Sequence, residues 1–416
     1  MDWLKKHIRR FLMNHSGLRM KVRKVHVAEK RFRYRRSAGK VKVDDHLILF
    51  ETFMGRQYGD NPRAIYERMI ADPRFDGFRY IWVLMDKEKK DLFPQLANVE
   101  TVDRDDWNYY DLVASAKYVI TNSNLDYGIT KREGQVFLQT WHGTPLKRLR
   151  CDIQAEHGNA INSIEEIHMR NDLDAVRYDY FLSPSPFATE KFTSAFDLKK
   201  LGKEDILVET GYPRNDLLYN YTEEDAARIR EELDIPEGKK VILYAPTFRD
   251  NRHDGGGYVY DLHLDMDRLQ REFGEEYVML FRVHYFVANS FDFSRYSDFV
   301  RNVSGLDDIS PLYTIADILI TDYSSVFFDY ANLRRPMIFY MYDKEDYAGD
   351  IRGFYLSLDE LPGPIVTTEE ELCREIRRAS IEPWQEKYDR FNEKYNPLDD
   401  GHASERVIDI LFGDRL

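Results

Sequence analysis

Short apolar segments alternate with amphipathic segments along most of the chain, and this alternation limits the folds that the sequence can adopt. The apolar segments are bounded by polar or turn residues, which is typical of buried strands. Ten segments have this character: 46–52, 80–85, 118–122, 136–141, 180–183, 206–210, 241–245, 277–283, 318–321 and 337–342. Helical patterns lie between them, most clearly at 62–71, 223–233 and 264–273. The alternation predicts an α/β fold with parallel sheets covered on both faces.

A break in this pattern divides the chain into two parts. Residues 211–216 (Gly-Tyr-Pro-Arg-Asn-Asp) interrupt the strands, and a helical linker follows. We therefore predict an N-terminal Rossmann-like domain at 44–212 and a C-terminal one at 213–416, with a terminal helix that could cross back to the first. Ligands of such sheets bind beyond the carboxyl ends of the strands, so we expect the functional residues there, along a cleft between the domains.

The first 43 residues differ in charge from the rest of the chain. They carry fifteen lysines and arginines against two acids, a local balance of +13, whereas the whole chain has a net charge of -13. In the first dozen residues, apolar side chains recur at helical spacing opposite basic ones, and a second basic run lies at 30–36. We expect this basic amphipathic arm, residues 1–43, to lie on an anionic membrane surface. A helix docked on the acidic body and a disordered arm are the alternatives.

Several classes of protein are disfavoured by composition. The acidic remainder of the chain would repel nucleic acid, so we expect no nucleic-acid partner. The two cysteines, Cys151 and Cys373, give neither a disulfide framework nor a zinc spacing and fit a reducing compartment. No apolar stretch approaches the length of a membrane span, and charges interrupt the N-terminal apolar residues. We therefore expect a protein that is neither secreted nor membrane-spanning.

The predicted strand at 136–141 runs directly into His142, Gly143 and Thr144. An imidazole titrates near neutral pH and can accept a proton from an attacking hydroxyl. The glycine allows a tight turn with close approach of the backbone to a ligand. This position at a strand end favours a catalytic role for His142, although by these residues alone a structural histidine fits equally well.

The predicted strand at 277–283 ends in a cation and an imidazole. Alternation along the strand places Arg282 and His284 on the same side of the chain. Arginine binds phosphate oxygens in a bidentate manner, and histidine can donate to a bridging or leaving oxygen, so the pair suits a pyrophosphate. A surface pair at the edge of a sheet is the alternative.

The strand at 318–321 is followed by Asp322, Ser324 and Ser325 and then by an aromatic helical pattern. Serine and aspartate can cap a helix, and the N-terminus of a helix favours phosphate. Ordinary capping would explain one such residue, but three polar residues together favour phosphate binding.

A weaker signal of the same kind follows the strand at 241–245. Pro246 and Thr247 would let a base or ribose approach the backbone, and Arg249 could reach a phosphate. The sequence has no HExxH, CxxC, Asp-x-Asp or Gly-x-Ser-x-Gly motif with convincing spacing. We therefore expect positive side chains to take the place of a metal, so that no cofactor is required, with stimulation by a divalent cation left open.

Taken together, these motifs occur in an order known from one enzyme family. The set comprises 141–147 (Trp-His-Gly-Thr-Pro-Leu-Lys), 211–216, 244–249 (Tyr-Ala-Pro-Thr-Phe-Arg), 282–284 and 321–325 (Thr-Asp-Tyr-Ser-Ser). Segments at 50–53, 61–66 and 400–406 extend the match. Over about residues 46–412 the sequence resembles the CDP-glycerol glycerophosphotransferases, which prime and polymerise wall teichoic acid.

The resemblance implies a GT-B type fold, in which two Rossmann-like domains with parallel sheets face a cleft. It implies that the N-terminal domain binds the acceptor and that the C-terminal domain binds a CDP-polyol donor. It also implies peripheral attachment to the cytoplasmic face of the cell membrane, which agrees with the expectation for the basic arm.

The resemblance further implies the roles of individual residues. His142 would be the general base on the acceptor hydroxyl, and His284 would stabilise the leaving CMP. Asp322 would shape the phosphate loop of the donor site. The full substrate-binding set that we predict is Gly143, Thr144, Lys147, Arg214, Asn215, Pro246, Thr247, Arg249, Arg282, Asp322, Ser324 and Ser325.

The predicted reaction moves glycerol-phosphate from CDP-glycerol to a hydroxyl of a lipid-linked saccharide or polyol-phosphate acceptor and releases CMP. The segment after His284 departs from the family, because many relatives have proline where this chain has Tyr285. CDP-ribitol therefore remains an alternative donor. A GT-B glycosyltransferase that uses a nucleotide sugar and a non-catalytic module that binds an anionic polymer are further alternatives. Single or repeated addition and homo-oligomer formation are left open.

Overall fold

The computed structural model describes residues 15–86, 98–153, 163–247, 262–283, 292–344, 353–379 and 381–413. Within these residues the chain forms two parallel sheets. The first sheet has the order β3-β2-β1-β4-β5-β6-β7. Its strands are β1 (Asp44–Glu51), β2 (Arg79–Val83), β3 (Val99–Val102), β4 (Ala116–Thr121), β5 (Val136–Gln139), β6 (Tyr180–Ser183) and β7 (Leu207–Glu209). We call the part of the chain around this sheet the first domain.

The second sheet is also parallel and has the order β10-β9-β8-β11-β12-β13. Its strands are β8 (Lys240–Tyr244), β9 (Tyr277–Phe281), β10 (Val300–Asn302), β11 (Ile318–Thr321), β12 (Met337–Tyr340) and β13 (Ile365–Val366). In each sheet the chain runs outward to one edge and then restarts beside the first strand. This reversal is the doubly wound topology of a Rossmann-like domain, so the predicted fold class is confirmed.

Helices cover both faces of the sheets. They are α1 (Ser16–Ala38), α2 (Asp60–Ile70), α3 (Tyr109–Ser115), α4 (Ile164–Ala175), α5 (Pro186–Ala195), α6 (Leu198–Leu201), α7 (Asp216–Asn220), α8 (Glu223–Glu232), α9 (Met266–Phe273), α10 (Ser310–Ile315), α11 (Val326–Tyr330), α12 (Glu369–Arg378), α13 (Gln385–Tyr395) and α14 (Ala403–Phe412). Each sheet separates two apolar cores, one on each face. Buried strands of this kind are why the sequence shows continuous apolar runs.

The last helix returns to the first domain. Phe412 of α14 packs edge-on against Phe75 at 4.9 Å and lies 4.3 Å from the ring of Tyr118. Val407 and Leu411 join the same buried cluster as Ile48 of β1. The two domains are therefore joined at two places, by the linker after β7 and by the returning helix.

Helix α1 packs against the first domain. Tyr34 is buried with its ring edge-on to Tyr110 at 5.9 Å, and Arg19 Nη2 lies 2.6 Å from a carboxylate oxygen of Glu166. Lys30 forms an ion pair with Asp126. Burial raises the pKa of Glu166, but the hydrogen bonds from Arg19 and from the Ser163 N–H, together with the charges of Arg23 and Arg19, outweigh burial and the net pKa falls to about 2. Residues 16–38 are thus docked on the acidic body, as in the alternative considered for the arm.

The apolar pattern of the first dozen residues lies outside the described part of the chain. No helix among the described residues combines the length and the apolar character needed to cross a bilayer.

Candidate active site

His142 lies in the tight turn that follows β5. The backbone reverses there through positive φ angles of +53° at Trp141 and +151° at Gly143. The imidazole stacks on the indole of Trp141 at 4.3 Å, and its Nδ1 lies 2.6 Å from the carbonyl oxygen of Asn122. A carbonyl can only accept, so Nδ1 carries the proton in this contact and Nε2 of the neutral ring holds a lone pair. The tautomer is therefore the one that a general base requires.

The surroundings of His142 favour its neutral form. Burial lowers the pKa of His142 to about 4, and the charges of Arg214 and Arg150 act in the same direction, whereas the hydrogen bond to Asn122 opposes them. A base must be unprotonated to accept a proton. At neutral pH this imidazole is therefore ready to do so.

Gly143 brings the two domains into contact. A Cβ atom on this residue would lie 3.0 Å from Oγ of Ser325 and 3.6 Å from Nη2 of Arg214. Ser325 belongs to the turn between β11 and α11 of the second domain. The histidine turn and the serine turn, which sequence analysis selected independently, therefore meet across the domain boundary.

The ends of β8 and β11 are joined by Asp322. Its Oδ1 accepts hydrogen bonds from the backbone N–H groups of Thr247 at 2.7 Å and Tyr323 at 2.6 Å. Thr321 donates its hydroxyl to the carbonyl of Ala245 at 2.7 Å. Pro246 and Thr247 are consequently held beside the serine turn, and Asp322 is a buried structural residue of this loop.

Ser324 and Ser325 are half-buried at the start of α11. Ser325 is the residue that precedes the helix, but its side chain makes no capping hydrogen bond. Ordinary capping, the alternative weighed for these serines, therefore does not account for Ser325.

Arg282 follows β9 and extends along the second domain. Its Nη1 donates to the carbonyl oxygens of Val303 and Leu306, both at 3.0 Å. Burial lowers the pKa of Arg282, and the nearby carboxylates of Asp308 and Asp307 counteract this. The guanidinium is thereby fixed in position at the carboxyl end of the second sheet, where a donor is expected.

Arg214 and Asn215 lie in a buried network that links the domains. Arg214 contacts Asp60 of the first domain at 3.0 Å and Asp329 of the second domain at 2.8 Å. Asn215 donates to Asp329 at 3.2 Å and to Asp399 at 2.6 Å. Carboxylates of the protein thus bind both terminal nitrogens of Arg214 and the amide nitrogen of Asn215. Contact of these two side chains with substrate stays a prediction.

The remaining predicted residues lie along the same turn or outside the described residues. Thr144 is buried. The backbone of Lys147 forms an isolated antiparallel β-bridge with Phe354 of the second domain. Arg249 and His284 fall in the undescribed ranges 248–261 and 284–291. The roles predicted for Arg249 and His284 therefore stay predictions.

Sequence analysis missed two residues of the site, and a signal existed for one of them. Asn122 directly follows β4, and its carbonyl holds His142. Asn61 donates its side-chain amide to the carbonyl of Trp141 at 3.2 Å and accepts from the backbone N–H of Arg214 at 3.1 Å. The rule that functional residues follow strands would have selected Asn122, whereas nothing in the sequence links Asn61 to the histidine turn.

One group of metal-ligand side chains occurs among the described residues. Donor atoms of Cys151, His168 and Asp197 lie within 4.8 Å of one another. Lys200 is 3.2 Å from the carboxylate of Asp197 and already supplies a positive charge there. Burial raises the pKa of the Cys151 thiol to about 11, which disfavours the thiolate. The cluster lies outside the loops that hold His142 and the serine turn.

Comparison with known proteins agrees with the resemblance. Residues 33–413 match the sequence model of the family described as CDP-Glycerol:Poly(glycerophosphate) glycerophosphotransferase. The teichoic acid poly(glycerol phosphate) polymerase of Bacillus subtilis (strain 168) is 40% identical over 381 residues, which cover 90% of this chain and 50% of that protein. The protein of the same name from Bacillus spizizenii is 38% identical over 382 residues, which cover 91% of this chain and 95% of that protein.

The chain therefore spans about half the length of the Bacillus subtilis relative and nearly the whole of the Bacillus spizizenii one. A solved structure of the wall teichoic acid polymerase TagF superposes with a TM-score of 0.83 at 35% identity and covers 97% of this chain and 98% of that one. The ordered motifs, the paired Rossmann-like sheets and the match over residues 33–413 lead to one conclusion: this chain belongs to the CDP-glycerol glycerophosphotransferase family.

Proposed function

We propose that this chain transfers glycerol-phosphate from CDP-glycerol to a hydroxyl of a membrane-linked teichoic acid or capsule-like acceptor and releases CMP. The observation that carries the proposal is His142, a neutral imidazole with Nδ1 held by Asn122 in a turn that contacts Ser325 of the second domain. The names of the relatives support glycerol-phosphate as the transferred unit.

In the proposed reaction the acceptor hydroxyl attacks the phosphorus that bears the glycerol. Nε2 of His142 takes the hydroxyl proton as the new O–P bond forms. The P–O bond to the CMP phosphate breaks, and CMP leaves with that oxygen and its negative charge. Such a reaction depends mainly on positioning and on stabilisation of charge. Arg282 supplies a fixed positive charge for the donor, and His284 would stabilise the departing CMP.

The proposal is tested by measuring CMP release from CDP-glycerol in the presence of a lipid-linked disaccharide acceptor carrying glycerol-phosphate. His142→Ala should lower kcat by about 10²–10⁴-fold, the usual contribution of general acid–base catalysis, while the KM for CDP-glycerol stays similar. His46→Ala, which removes an exposed histidine of β1, is the matched control and should keep full activity.

The donor is tested in the same reaction with CDP-ribitol, measured by CMP release, and with a UDP-sugar, measured by UDP release, in place of CDP-glycerol. Preferred turnover of CDP-ribitol would show that the transferred unit is ribitol-phosphate and not glycerol-phosphate. Preferred turnover of the UDP-sugar would show that the enzyme catalyses glycosyl transfer and not transfer of a polyol-phosphate. Absence of CMP release from the wild-type protein with CDP-glycerol and with CDP-ribitol, or full activity of His142→Ala, would overturn the proposed chemistry.

We further propose that α1 attaches the protein to the cytoplasmic face of the cell membrane. The side of α1 away from the body exposes Val25 at 70% and Phe32 at 68%, with Leu18 and Val22 at helical spacing along the same side. Exposed basic residues flank this stripe: Lys21, Lys24, Arg35 and Arg36. Apolar side chains at headgroup depth beside basic ones bind anionic bilayers.

Flotation with phosphatidylglycerol vesicles tests this attachment. The double change Val25→Glu and Phe32→Glu should abolish flotation of the full chain, because it places two carboxylates at the bilayer surface. Ile410→Glu alters an exposed apolar residue of α14 and is the control, with flotation expected to be unchanged. Equal flotation of the double variant and the wild type would contradict attachment through this face.

A further inference from the structure

A cavity of about 280 Å³ lies at the carboxyl edge of the first sheet, beneath α1. Its walls come from α1 and from the loops that follow β1, β2, β3 and β4. Ligands of doubly wound sheets bind at this edge. The function proposed above makes no use of this cavity.

The cavity is lined by four cations, Lys30, Arg33, Arg56 and Arg104. Three carboxylates also line it, which leaves one formal positive charge in excess. The carboxylate of Asp126 is occupied, since it pairs with Lys30 and accepts hydrogen bonds from the Tyr110 hydroxyl at 3.2 Å and the Gly128 N–H at 2.8 Å. Three arginines and two carboxylates, Asp105 and Asp106, make up the rest of the charged lining.

Arg104 lies in the wall of this cavity beside a buried carboxylate. Its Nη2 lies 3.6 Å from Oε1 of Glu51, which is fully buried at the end of β1, and the hydroxyl of Tyr109 donates to the other oxygen of Glu51 at 3.0 Å. Burial raises the pKa of Glu51, although Arg104 and Tyr109 counteract part of that effect. The Nε of Arg104 is buried without a hydrogen-bond partner among the described residues. A buried donor of this kind is costly unless a ligand or water satisfies it.

The cavity adjoins His142. Met54, in its lining, donates its backbone N–H to Oγ of Ser123 at 3.0 Å, next to the residue whose carbonyl holds the imidazole. The preceding residue, Phe53, places its ring 5.5 Å from the imidazole. The loops after β1 and β4 therefore line the cavity on one side and support the proposed base on the other.

We infer that this cavity binds a phosphodiester of the acceptor chain, next to the hydroxyl that His142 activates. The inference rests on the proposed function and names the acceptor subsite. Guanidinium groups bind phosphate oxygens with bidentate geometry, and Arg33 and Arg56 offer two such groups in the lining. Lys30 and Arg33 of the basic run at 30–36 thus line an acceptor site, whereas Phe32 and Arg35 of the same run face outward.

Binding is tested with glycerophosphoglycerol, a soluble phosphodiester, by titration calorimetry on the full chain. Arg33→Gln and Arg56→Gln should each weaken its affinity about tenfold. Lys40→Gln removes an exposed positive charge just beyond α1 and outside the cavity, and its affinity should equal that of the wild type. Arg33 is largely exposed, so its substitution leaves the fold intact. Wild-type affinity in both arginine variants would overturn the inference.

Kinetics separate this inference from the proposed function. With an acceptor that carries glycerol-phosphate, Arg33→Gln and Arg56→Gln should raise the acceptor KM about tenfold and leave the KM for CDP-glycerol unchanged. If the wild-type enzyme releases CMP and both variants have the wild-type acceptor KM, the phosphodiester site is wrong and the proposed function stands. If the wild-type protein releases no CMP but binds glycerophosphoglycerol through these arginines, the proposed function is wrong and the phosphodiester site stands.

The phosphodiester of a lipid headgroup has the same chemistry as that of an acceptor chain. Flotation with phosphatidylglycerol vesicles distinguishes the two sources. The acceptor assignment predicts normal flotation of both arginine variants. Loss of flotation together with an unchanged acceptor KM would assign the cavity to lipid and overturn the acceptor site.

Discussion

At the scale of single residues, His142 combines a fixed tautomer with a strongly lowered pKa. At pH 5.5 an ordinary histidine with a pKa of 6.5 is about 90% protonated. His142, with a pKa of about 4, should remain neutral there because its buried position disfavours the imidazolium. We expect its ring resonances in an NMR titration of labelled histidines to keep their neutral shifts from pH 8 down to pH 5.5.

Assignment of that signal uses His142→Asn, in which one of the eleven histidine resonances disappears. A midpoint near 6.5 for the signal of His142 would contradict the interpretation of its surroundings. It would also mean that the base is largely protonated in mildly acidic solution.

Gly143 is a second residue whose identity the structure requires. A side chain would be strained at its φ of +151°, and a Cβ would lie 3.0 Å from Oγ of Ser325. Gly143→Ala should therefore separate the histidine turn from the serine turn and lower kcat at least tenfold, with a stability loss of about 1–2 kcal/mol. Gly77→Ala is the control, since a Cβ there meets open space. Equal activity of the two variants would contradict a close contact between the turns.

At the scale of elements, the sequence predicted the central strands better than the edge strands. The ten predicted strands are present, with boundaries shifted by a few residues. The strands that were missed, β3, β10 and β13, all lie at sheet edges. Edge strands are short and tolerate polar residues such as Glu100 and Arg301, so they lack the continuous apolar run of a buried strand.

The loops were predicted unevenly for a similar physical reason. His142, Thr247 and Asp322 follow buried strands, and strand ends converge at one edge of a parallel sheet, so sequence position alone indicated them. Arg214 was included in the predicted substrate-binding set through the family resemblance. Its partners Asp60 and Asp329 come from distant segments, and no local pattern connects them.

Asp322 joins the ends of two neighbouring strands, and we expect its loss to affect donor binding. Asp322→Ala leaves the N–H groups of Thr247 and Tyr323 without this acceptor, which should lower stability by about 2–3 kcal/mol and raise the KM for CDP-glycerol. Asp322→Asn keeps an acceptor oxygen at the same place and should be much milder. Chemical unfolding measures the stability, and donor kinetics measure the KM for CDP-glycerol. Equal stability and equal KM in the two variants would argue against a role of Asp322 in joining the ends of the two strands.

At the scale of the whole molecule, the interface between the domains depends on buried charge. Arg214 is nine-tenths buried and touches one carboxylate from each domain, Asp60 and Asp329. A guanidinium between two carboxylates offsets their desolvation, and removal of one partner from such a group typically costs about 3–5 kcal/mol. The closed arrangement that brings His142 beside Ser325 should therefore depend on this arginine.

Arg214→Met should lower the free energy of unfolding by about 3–5 kcal/mol, because it leaves Asp60 and Asp329 buried without their counter-charge. Urea unfolding should change from one transition to two as the domains lose their main ionic link. The triple variant Asp60→Asn, Arg214→Met and Asp329→Asn removes the uncompensated carboxylates, and we expect it to recover part of the lost stability and the single transition. If Arg214→Met unfolded like the wild type, or the triple variant were no better than the single one, the network would contribute packing alone and the domains would be held together by α14 and the linker.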